Sequence, residues 1–396
     1  MERELESPKT KQKDKKKYFD KIVAWLHLWP SLVSGIILVF VCLTGTIIVY
    51  GDEIMDWTAG DAKYVTPAAT RVSSIEINDA LKKAYPEAVI SEYVFFKDPA
   101  RSIRLRVFFP KERKLTFIYM NPYTGEVLKK DGSIYFFYVT AHLHAELLAG
   151  PVGSWTVAIA TIIFVLSCIT GLILWWPKRW TRATRQASFT IKWKAKFKRL
   201  NYDLHNVYGF YSLTLCLVLG VTGLLIFSPK FASLTMNTLG IEQVELRDAL
   251  PKIDSAKQSH NFVPIAYEVL AANPQKSAVN IWNSDTRKMG AYIFTTGKMG
   301  LKSVENAQIH IYDRYTGKKI EVEKNLLEHD IAENTVWQLH LGQWWGQFGK
   351  FSTFLAGLVA TSLPITGFLI WWGRRNKKSL KQRKQAINKK QIPENA

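Results

Sequence analysis

Four long apolar stretches alternate with polar segments along the chain. They cover about residues 22–50, 152–176, 205–228 and 351–372. A helix needs about 20 residues to cross the hydrocarbon core of a membrane, which is about 30 Å thick. Each stretch has at least this length. The pattern therefore predicts an α-helical membrane protein with four transmembrane helices. The first stretch lacks a small-residue cleavage site, so we interpret it as a retained span and not as a signal peptide.

Two long polar segments separate the first span from the second and the third span from the fourth. Each contains one predicted amphipathic helix, Ile77–Tyr85 or Val263–Ala272, followed by a proline that would end it. Three strands rich in β-branched and aromatic residues follow in each segment. They are Glu92–Phe96, Ile103–Phe109, Leu115–Met120, Val279–Trp282, Gly290–Thr295 and Ala307–Tyr312. A turn ending in Tyr-Thr-Gly closes each set, at residues 121–125 and 313–317. The chain is therefore a tandem repeat of span, small α+β domain and span.

The formal net charge of +20 is concentrated beside the spans. Lysines and arginines crowd residues 9–21, 178–199 and 374–384. The positive-inside rule places all three segments in the cytoplasm, and hence the two α+β domains on the periplasmic side. We assign this charge to topology and to contact with anionic membrane lipid, and not to nucleic-acid binding.

The charge pattern and the repeat together predict the domain organisation. The first half is predicted to consist of a basic cytoplasmic tail (1–21), the first transmembrane helix (22–50), a periplasmic domain (51–141) and a periplasmic-edge segment with the second transmembrane helix (142–176). A basic cytoplasmic loop (177–204) leads to the second half. That half is predicted to consist of the third transmembrane helix (205–228), a second periplasmic domain (229–338), a periplasmic-edge segment with the fourth transmembrane helix (339–372) and a basic cytoplasmic tail (373–396).

Four histidines occupy matched positions in the repeat. His27 and His205 each stand 17 residues before a Thr-Gly pair, and His144 and His340 each stand 26 residues before one. The pairs are Thr44-Gly45, Thr222-Gly223, Thr170-Gly171 and Thr366-Gly367. Haem iron in electron-transfer proteins favours two strong axial ligands, and these must come from different helices at one membrane depth. By topology His27 and His205 lie near the cytoplasmic face, and His144 and His340 near the periplasmic face. The pattern predicts two bis-imidazole metal or haem sites.

A polar residue at the lipid headgroup level is the alternative interpretation of any one of these histidines. Four in register favour function, since ionisable residues at the membrane are functional candidates. His142 complicates the periplasmic pair because it lies two residues before His144. Its counterpart in the second half is Gln338, so symmetry favours His144. The sequence still leaves His142 open as the ligand or as a neighbour of the ligand.

The glycines of the Thr-Gly pairs have two interpretations. Small residues allow helices in membranes to pack closely. Because 18 residues of helix span about 27 Å, Gly45 and Gly223 would also lie level with the periplasmic histidines, and Gly171 and Gly367 level with the cytoplasmic ones. There they would leave room for a haem. We interpret the remaining candidates as structural: tryptophans as interfacial anchors, the three cysteines as packing residues, and His260, His310 and His329 as ordinary histidines of the soluble segments. A role of the tryptophans in electron transfer and of these three histidines in metal binding stays open.

Several motifs resemble one known family in both content and order. They are Leu143-His144, residues 170–177, Leu339-His340 with Gly342, and residues 366–372. The α+β unit resembles a PepSY domain, and the whole order, over about residues 18–375, resembles the PepSY-associated transmembrane family. That family includes the iron-regulated membrane proteins and the FoxB-like ferric-siderophore reductases. The resemblance implies a bacterial inner-membrane protein that holds b-type haem, here two haem b groups, and reduces periplasmic ferric siderophore to Fe(II).

The source of electrons is not encoded in the chain. The sequence has no glycine-rich phosphate loop at a strand-to-helix junction, and its soluble segments are small for a flavin or nicotinamide domain. We therefore expect the electron donor to be quinol or a separate cytoplasmic reductase. Two other functions stay open: a non-enzymatic PepSY scaffold or inhibitor of a periplasmic partner, and a metal permease whose histidines are transport ligands.

Overall fold

The structure, a computed structural model, describes residues 8–241 and 246–390. Four of its helical segments are long and apolar enough to cross a membrane: Tyr18–Ile48, Gly150–Trp175, Phe197–Phe227 and Gln343–Arg375. Apolar side chains such as Val33, 77% exposed, cover their outer surfaces, as a lipid environment requires. The prediction of a helical membrane protein with four spans agrees with these helices.

The described residues form helices in both the spans and the segments between them. They are α1 (Pro8–Ile48), α2 (Gly51–Ala59), α3 (Ser74–Ala84), α4 (Ser133–Glu146), α5 (Gly150–Trp175), α6 (Arg182–Phe189), α7 (Phe197–Asp203), α8 (Gly209–Phe227), α9 (Pro229–Thr238), α10 (Leu246–Ala249), α11 (Val263–Ala272), α12 (Ser284–Arg287), α13 (Lys324–His340) and α14 (Gly346–Lys390). A π-helical segment, Leu204–Tyr208, joins α7 to α8. Such π-bulges often mark functional sites.

The chain divides into two compact units. The membrane unit contains the chain up to Thr46, residues Leu143–Leu224 and the chain from Ser352 onwards. The soluble unit contains Ile47–His142 and Leu225–Phe351.

Small residues bring the helices of the membrane unit close together. A Cβ at Gly220 on α8 would lie 2.7 Å from a methyl group of Val165 on α5. A Cβ at Gly357 on α14 would overlap the hydroxyl of Thr46 on α1. At these positions glycine permits the close backbone approach that stabilises helix pairs in lipid.

One eight-stranded antiparallel sheet forms the centre of the soluble unit. Its strands are β1 (Val89–Phe96), β2 (Ile103–Phe109), β3 (Lys114–Met120), β4 (Val127–Asp131), β5 (Ala278–Trp282), β6 (Ala291–Met299), β7 (Val304–Asp313) and β8 (Lys319–Ile320). Their order is β4-β3-β2-β1-β5-β6-β7-β8. Each half of the repeat thus supplies four consecutive strands, and the first strand of each half lies in the middle.

The two halves join through the pairing of β1 with β5. Glu92 lies opposite Trp282, and Phe96 lies opposite Ala278. The sequence predicts two small α+β domains, whereas the structure gives them a single continuous sheet. The physical reason is that an unpaired strand edge carries free N–H and C=O groups, which the matching edge of the other half satisfies.

Alternation along the strands separates the cores on the two faces of the sheet. On β3, Ile118 and Met120 join the core beneath α3 and α11. Phe117 and Tyr119, which point the other way, pack with residues of α2 and α4. In the second half, a third core gathers strand residues with Leu246 of α10 and partly buried residues of α13.

The two predicted Tyr-Thr-Gly turns are confirmed. The side-chain oxygen of Asn121 accepts a hydrogen bond from a backbone N–H two residues later at 2.9 Å, and Asp313 does the same at 2.9 Å. Gly125 and Gly317 have φ values of +72° and +67°, a left-handed conformation that glycine adopts without a Cβ penalty.

Candidate functional site

Two of the four matched histidines meet inside the membrane unit. His27 belongs to α1, and His205 lies in the π-helical segment before α8. Their ring centres are 6.4 Å apart and their ring planes are inclined at 74°. The structure thus brings together the two histidines that the sequence predicts near the cytoplasmic face.

Threonine hydroxyls and backbone carbonyls of the neighbouring spans fix the tautomers of both imidazoles. Nδ1 of His27 donates to the carbonyl of Ser167 at 3.1 Å, and His205 has a backbone hydrogen bond to Leu363. The hydroxyl of Thr170 donates at 2.7 Å to a carbonyl one turn earlier in α5, so it accepts from Nδ1 of His27, 3.1 Å away. Thr366 on α14 makes the same two interactions, with Nδ1 of His205 at 2.9 Å. Because Nδ1 carries the proton, Nε2 of each ring keeps the lone pair that a metal requires. Such hydrogen bonds orient metal-ligating histidines.

Glycines beside these threonines make room for the two rings. A Cβ at Gly171 would lie 3.1 Å from Cε1 of His27, and one at Gly367 would lie 3.3 Å from Cε1 of His205. Both distances are tighter than ordinary van der Waals contact. Each of these two Thr-Gly pairs therefore contacts one histidine: the threonine hydroxyl accepts a hydrogen bond from Nδ1, and the glycine leaves space for the ring.

His144 on α4 makes an equivalent contact with α1. Its Nδ1 donates to the carbonyl of Val41 at 2.7 Å, and a Cβ at Gly45 would lie 2.8 Å from its Cε1. Desolvation lowers the pKa of His144, and this effect outweighs the opposing effect of the Val41 hydrogen bond. The ring is therefore neutral at physiological pH, which is the form that binds metals.

His142 is directed elsewhere. Its Nδ1 donates at 2.8 Å to the carbonyl of Tyr138 in its own helix, and its ring lies 4.0 Å from the Tyr138 ring. Residues two apart on a helix point in nearly opposite directions. The geometry therefore favours His144 over His142 as the histidine presented to the spans.

His340 is the last residue of α13, in the soluble unit. The chain turns after it as it does after His144. Gly150 and Gly346, each six residues beyond its histidine, both have a φ of +56°. The repeat thus keeps the local backbone as well as the sequence at the two positions.

The residues around His27 and His205 fit the axial ligands of a haem. A haem of the electron-transfer type takes two imidazoles as ligands, and His27 and His205 are two imidazoles whose Nδ1 atoms are hydrogen-bonded. Their ring centres are 6.4 Å apart. Among the described residues, no group of three or more histidine, cysteine or acidic side chains could hold a metal ion.

The sequence interpretation missed a buried charge cluster in the soluble unit. Lys350 is 2% exposed and lies 2.8 Å from a carboxylate oxygen of Glu53 and 3.4 Å from Asp52. Gln343 also donates to Asp52, at 3.1 Å. Burial raises the pKa of Asp52, against the opposing effect of Lys350. The available signal was the opposite charge at the two span boundaries, directly after the first apolar stretch and directly before the fourth.

The other candidate residues are distributed over both units. Gly223 lies on α8. Cys216 is buried, and Cys42 and Cys168 are half-buried free thiols. His310 lies on β7, where burial lowers its pKa. Trp29 and Trp371 form an edge-to-face pair with ring centres 6.4 Å apart.

Comparison with known proteins gives the chain its family. No curated protein sequence matches it. The family model described as the PepSY-associated TM region matches residues 24–374. This range contains the second and third spans, the first span from residue 24, the fourth span up to residue 374 and all four matched histidines, so the chain belongs to the PepSY-associated transmembrane family.

Proposed function

We propose that this protein is a di-haem oxidoreductase of the bacterial inner, or cytoplasmic, membrane. It passes electrons across the membrane to ferric iron on the periplasmic side. The iron arrives as a ferric siderophore and leaves as Fe(II), which hard oxygen ligands hold more weakly. The observation that carries the proposal is the pair His27 and His205, with ring centres 6.4 Å apart and both Nδ1 atoms hydrogen-bonded.

Two pairs of histidines would hold the cofactors. His27 and His205 would hold one haem b, and His144 and His340 the other. The first pair rests on the geometry of the membrane unit, and the second rests on the matched positions of its members in the repeat. Haem with two axial imidazoles supplies one-electron transfer at an iron that stays six-coordinate.

The protein's own residues prepare the cytoplasmic-side ligands. Thr170 and Thr366 accept the Nδ1 protons of their histidines and so leave the Nε2 lone pairs available. Gly171 and Gly367 keep the side of each ring free of a Cβ.

The distribution of charge supports the direction of transfer. The basic segments place both termini and the loop 177–204 in the cytoplasm, and the soluble unit in the periplasm, where it would meet the iron complex. The chain has no nucleotide-binding motif, so quinol or a separate cytoplasmic reductase supplies the electrons. Each ferric ion takes up one electron.

Haem content tests the ligand assignment. The purified wild-type protein should contain two haems per chain and show b-type bands in a reduced-minus-oxidised spectrum. His27→Ala and His205→Ala should each lower the haem content by about half, because one axial imidazole is lost. His260→Ala is the matched control, since His260 is exposed in the soluble unit, and it should keep both haems. Absence of haem from the wild-type protein would favour the scaffold or permease alternatives.

A second measurement tests the activity itself. Chemically reduced protein should be reoxidised by a ferric siderophore, and an Fe(II) chelator should trap the released ion. His144→Ala should slow this reaction more than His142→Ala. If several ferric siderophores leave wild-type haem reduced, iron reduction is the wrong activity, whereas haem binding is judged separately by the spectrum.

A further inference from the structure

A cleft of about 230 Å³ opens in the soluble unit where the helices of the two halves meet over the sheet. Its lining includes Ser74 and Ile75 from the first half, and Phe262, Tyr292 and Arg314 from the second. None of these residues belongs to the histidine sites. The cleft is large enough for one small organic molecule and too small for a whole siderophore complex.

Arg314 places an unsatisfied donor at this cleft. The side chain is buried, with 7% of the residue exposed. Its Nε donates to the hydroxyl of Ser259 at 2.9 Å, and its Nη2 donates to the carboxylate of Asp285. Nη1 is buried and has no hydrogen-bond partner. A buried, unpaired guanidinium nitrogen is costly, and an oxygen of a ligand would remove that cost.

The turn that carries Arg314 does not require an arginine. The equivalent turn of the first half is closed in the same way: the N–H of Gly125 donates to the carbonyl of Asn121 as that of Gly317 donates to Asp313. It has Pro122 where the second half has Arg314, whose own N–H donates to the carbonyl of Gly290. The turn can therefore form without an arginine at this position, and the guanidinium occurs only in the second of the two equivalent turns.

Aromatic rings form the apolar wall of the cleft. Phe262 packs edge to face with Tyr93, at 5.0 Å between ring centres, and with Tyr292, at 5.2 Å. The hydroxyl of Tyr93 is held by Asn78 at 2.7 Å. These rings are fixed by their contacts and offer faces and edges to a flat apolar group.

The charges favour an anion with a single negative charge. Ser74 and Ile75 are the first residues of α3, whose N-terminus is the positive end of the helix dipole. Asp285 already neutralises part of the Arg314 charge. A phosphate would bring more charge and more acceptor oxygens than one free nitrogen can satisfy, whereas a carboxylate matches it.

We propose that this cleft binds a small aromatic carboxylate. One carboxylate oxygen accepts a hydrogen bond from Nη1 of Arg314, and the ring packs against Phe262 and Tyr292. This site is separate from the haem ligands, so its occupancy does not depend on the proposed electron-transfer activity.

Benzoate is the probe, because it combines one ring with one carboxylate. Equilibrium dialysis of labelled benzoate against the intact protein in detergent, with empty micelles as the blank, should show saturable binding of one molecule per chain. Neutral benzamide should compete at least about tenfold more weakly, since a hydrogen bond to a charged group is lost. Arg314→Gln should weaken benzoate binding by a similar factor.

Two further variants keep the test independent of the structural role of Arg314. Ile75→Trp fills the mouth of the cleft from a residue that is 49% exposed and leaves the Arg314 ion pair in place, and it should abolish binding while haem content stays unchanged. Asp285→Asn removes the competing carboxylate and should tighten binding. The proposal is overturned if wild-type protein binds no benzoate above the micelle blank, if benzamide binds equally well, or if Ile75→Trp leaves binding unchanged.

Discussion

Gly45 lies against His144: a Cβ at this glycine would stand 2.8 Å from Cε1 of the imidazole. Gly45 belongs to the Thr-Gly pair that follows His27, yet the histidine it accommodates is on α4. The first span therefore contributes the candidate ligand His27 near its N-terminal end. Near its C-terminal end, Gly45 leaves space for His144.

Gly45→Ala should disturb the His144 site. The added methyl group has no room unless the ring moves, and movement of the ring breaks the hydrogen bond to Val41. We expect loss of about half the haem, measured per chain, with the His27 site retained. Gly35→Ala is the control on the same helix, because its Cβ would lie 3.4 Å from Pro364, which is ordinary contact. Equal haem content in the two variants would contradict the assignment.

Thr170→Val and Thr366→Val should weaken haem binding without abolishing it. Each removes a hydroxyl that accepts an Nδ1 proton. Because the carbonyls of Ser167 and Leu363 still hydrogen-bond the two rings, we expect metal affinity to fall by about 10-fold, the lower end of the effect of losing such partners. The measurements are haem retention during dilution and the midpoint potential of the retained haem. Thr170→Ser and Thr366→Ser keep the hydroxyl and should behave as wild type. A valine variant with unchanged affinity and potential would show that the hydroxyl has no role in positioning.

Lys350→Met should destabilise the soluble unit. It leaves Asp52 and Glu53 without the buried ammonium between them. Because these carboxylates are 22% and 34% exposed, the loss of their charged hydrogen bonds should cost about 1.5–3 kcal/mol. Thermal unfolding in detergent should show a lower midpoint. Lys111→Met removes a lysine whose side chain is 83% exposed, so it should cost under about 1 kcal/mol. If both variants unfold at similar midpoint temperatures, the contacts of Lys350 with Asp52 and Glu53 do not stabilise the protein.

Cysteines introduced one at a time at Lys111 and Lys194, beside the three native cysteines, should label from opposite sides of the membrane. Lys111 is exposed in the soluble unit, and Lys194 is exposed in the basic loop between the second and third spans. An impermeant maleimide added to intact cells freed of their outer membrane should reach Lys111→Cys but not Lys194→Cys. The parent protein with Cys42, Cys168 and Cys216 sets the background. Labelling of both positions from outside would refute the four-span topology.

Spacing along the chain predicted much of the fold because repeats and helical rise act locally. Helix Val263–Ala272 and strand Ile103–Phe109 have the predicted bounds. The 17-residue spacing predicted that His27 and His205 would lie at one level, where the structure places their rings together. The 18-residue helical distance likewise predicted the neighbourhood of Gly45.

Contacts between distant segments could not be predicted in the same way. The pairing of Glu92 with Trp282 joins residues about 190 positions apart. The sequence of either strand alone does not show which other strand it will pair with. The spacing of apolar residues does not distinguish the π-helical turn at His205 from an α-helix, so the sequence did not predict it. In the sequence, Lys350 and Arg314 resemble ordinary surface charges. Their burial could not be predicted, because it depends on contacts with residues that are distant in the chain.

The place where β1 meets β5 also bears on how such a chain can be built. These are equivalent strands, and they run antiparallel, so the two halves of the sheet are related by an approximate two-fold axis through the junction. A protein with one half alone would expose its β1 edge, and two copies could pair there as an isologous homodimer. Covalent duplication makes that pairing permanent and independent of concentration. It also frees each half to diverge, as Pro122 and Arg314 have done.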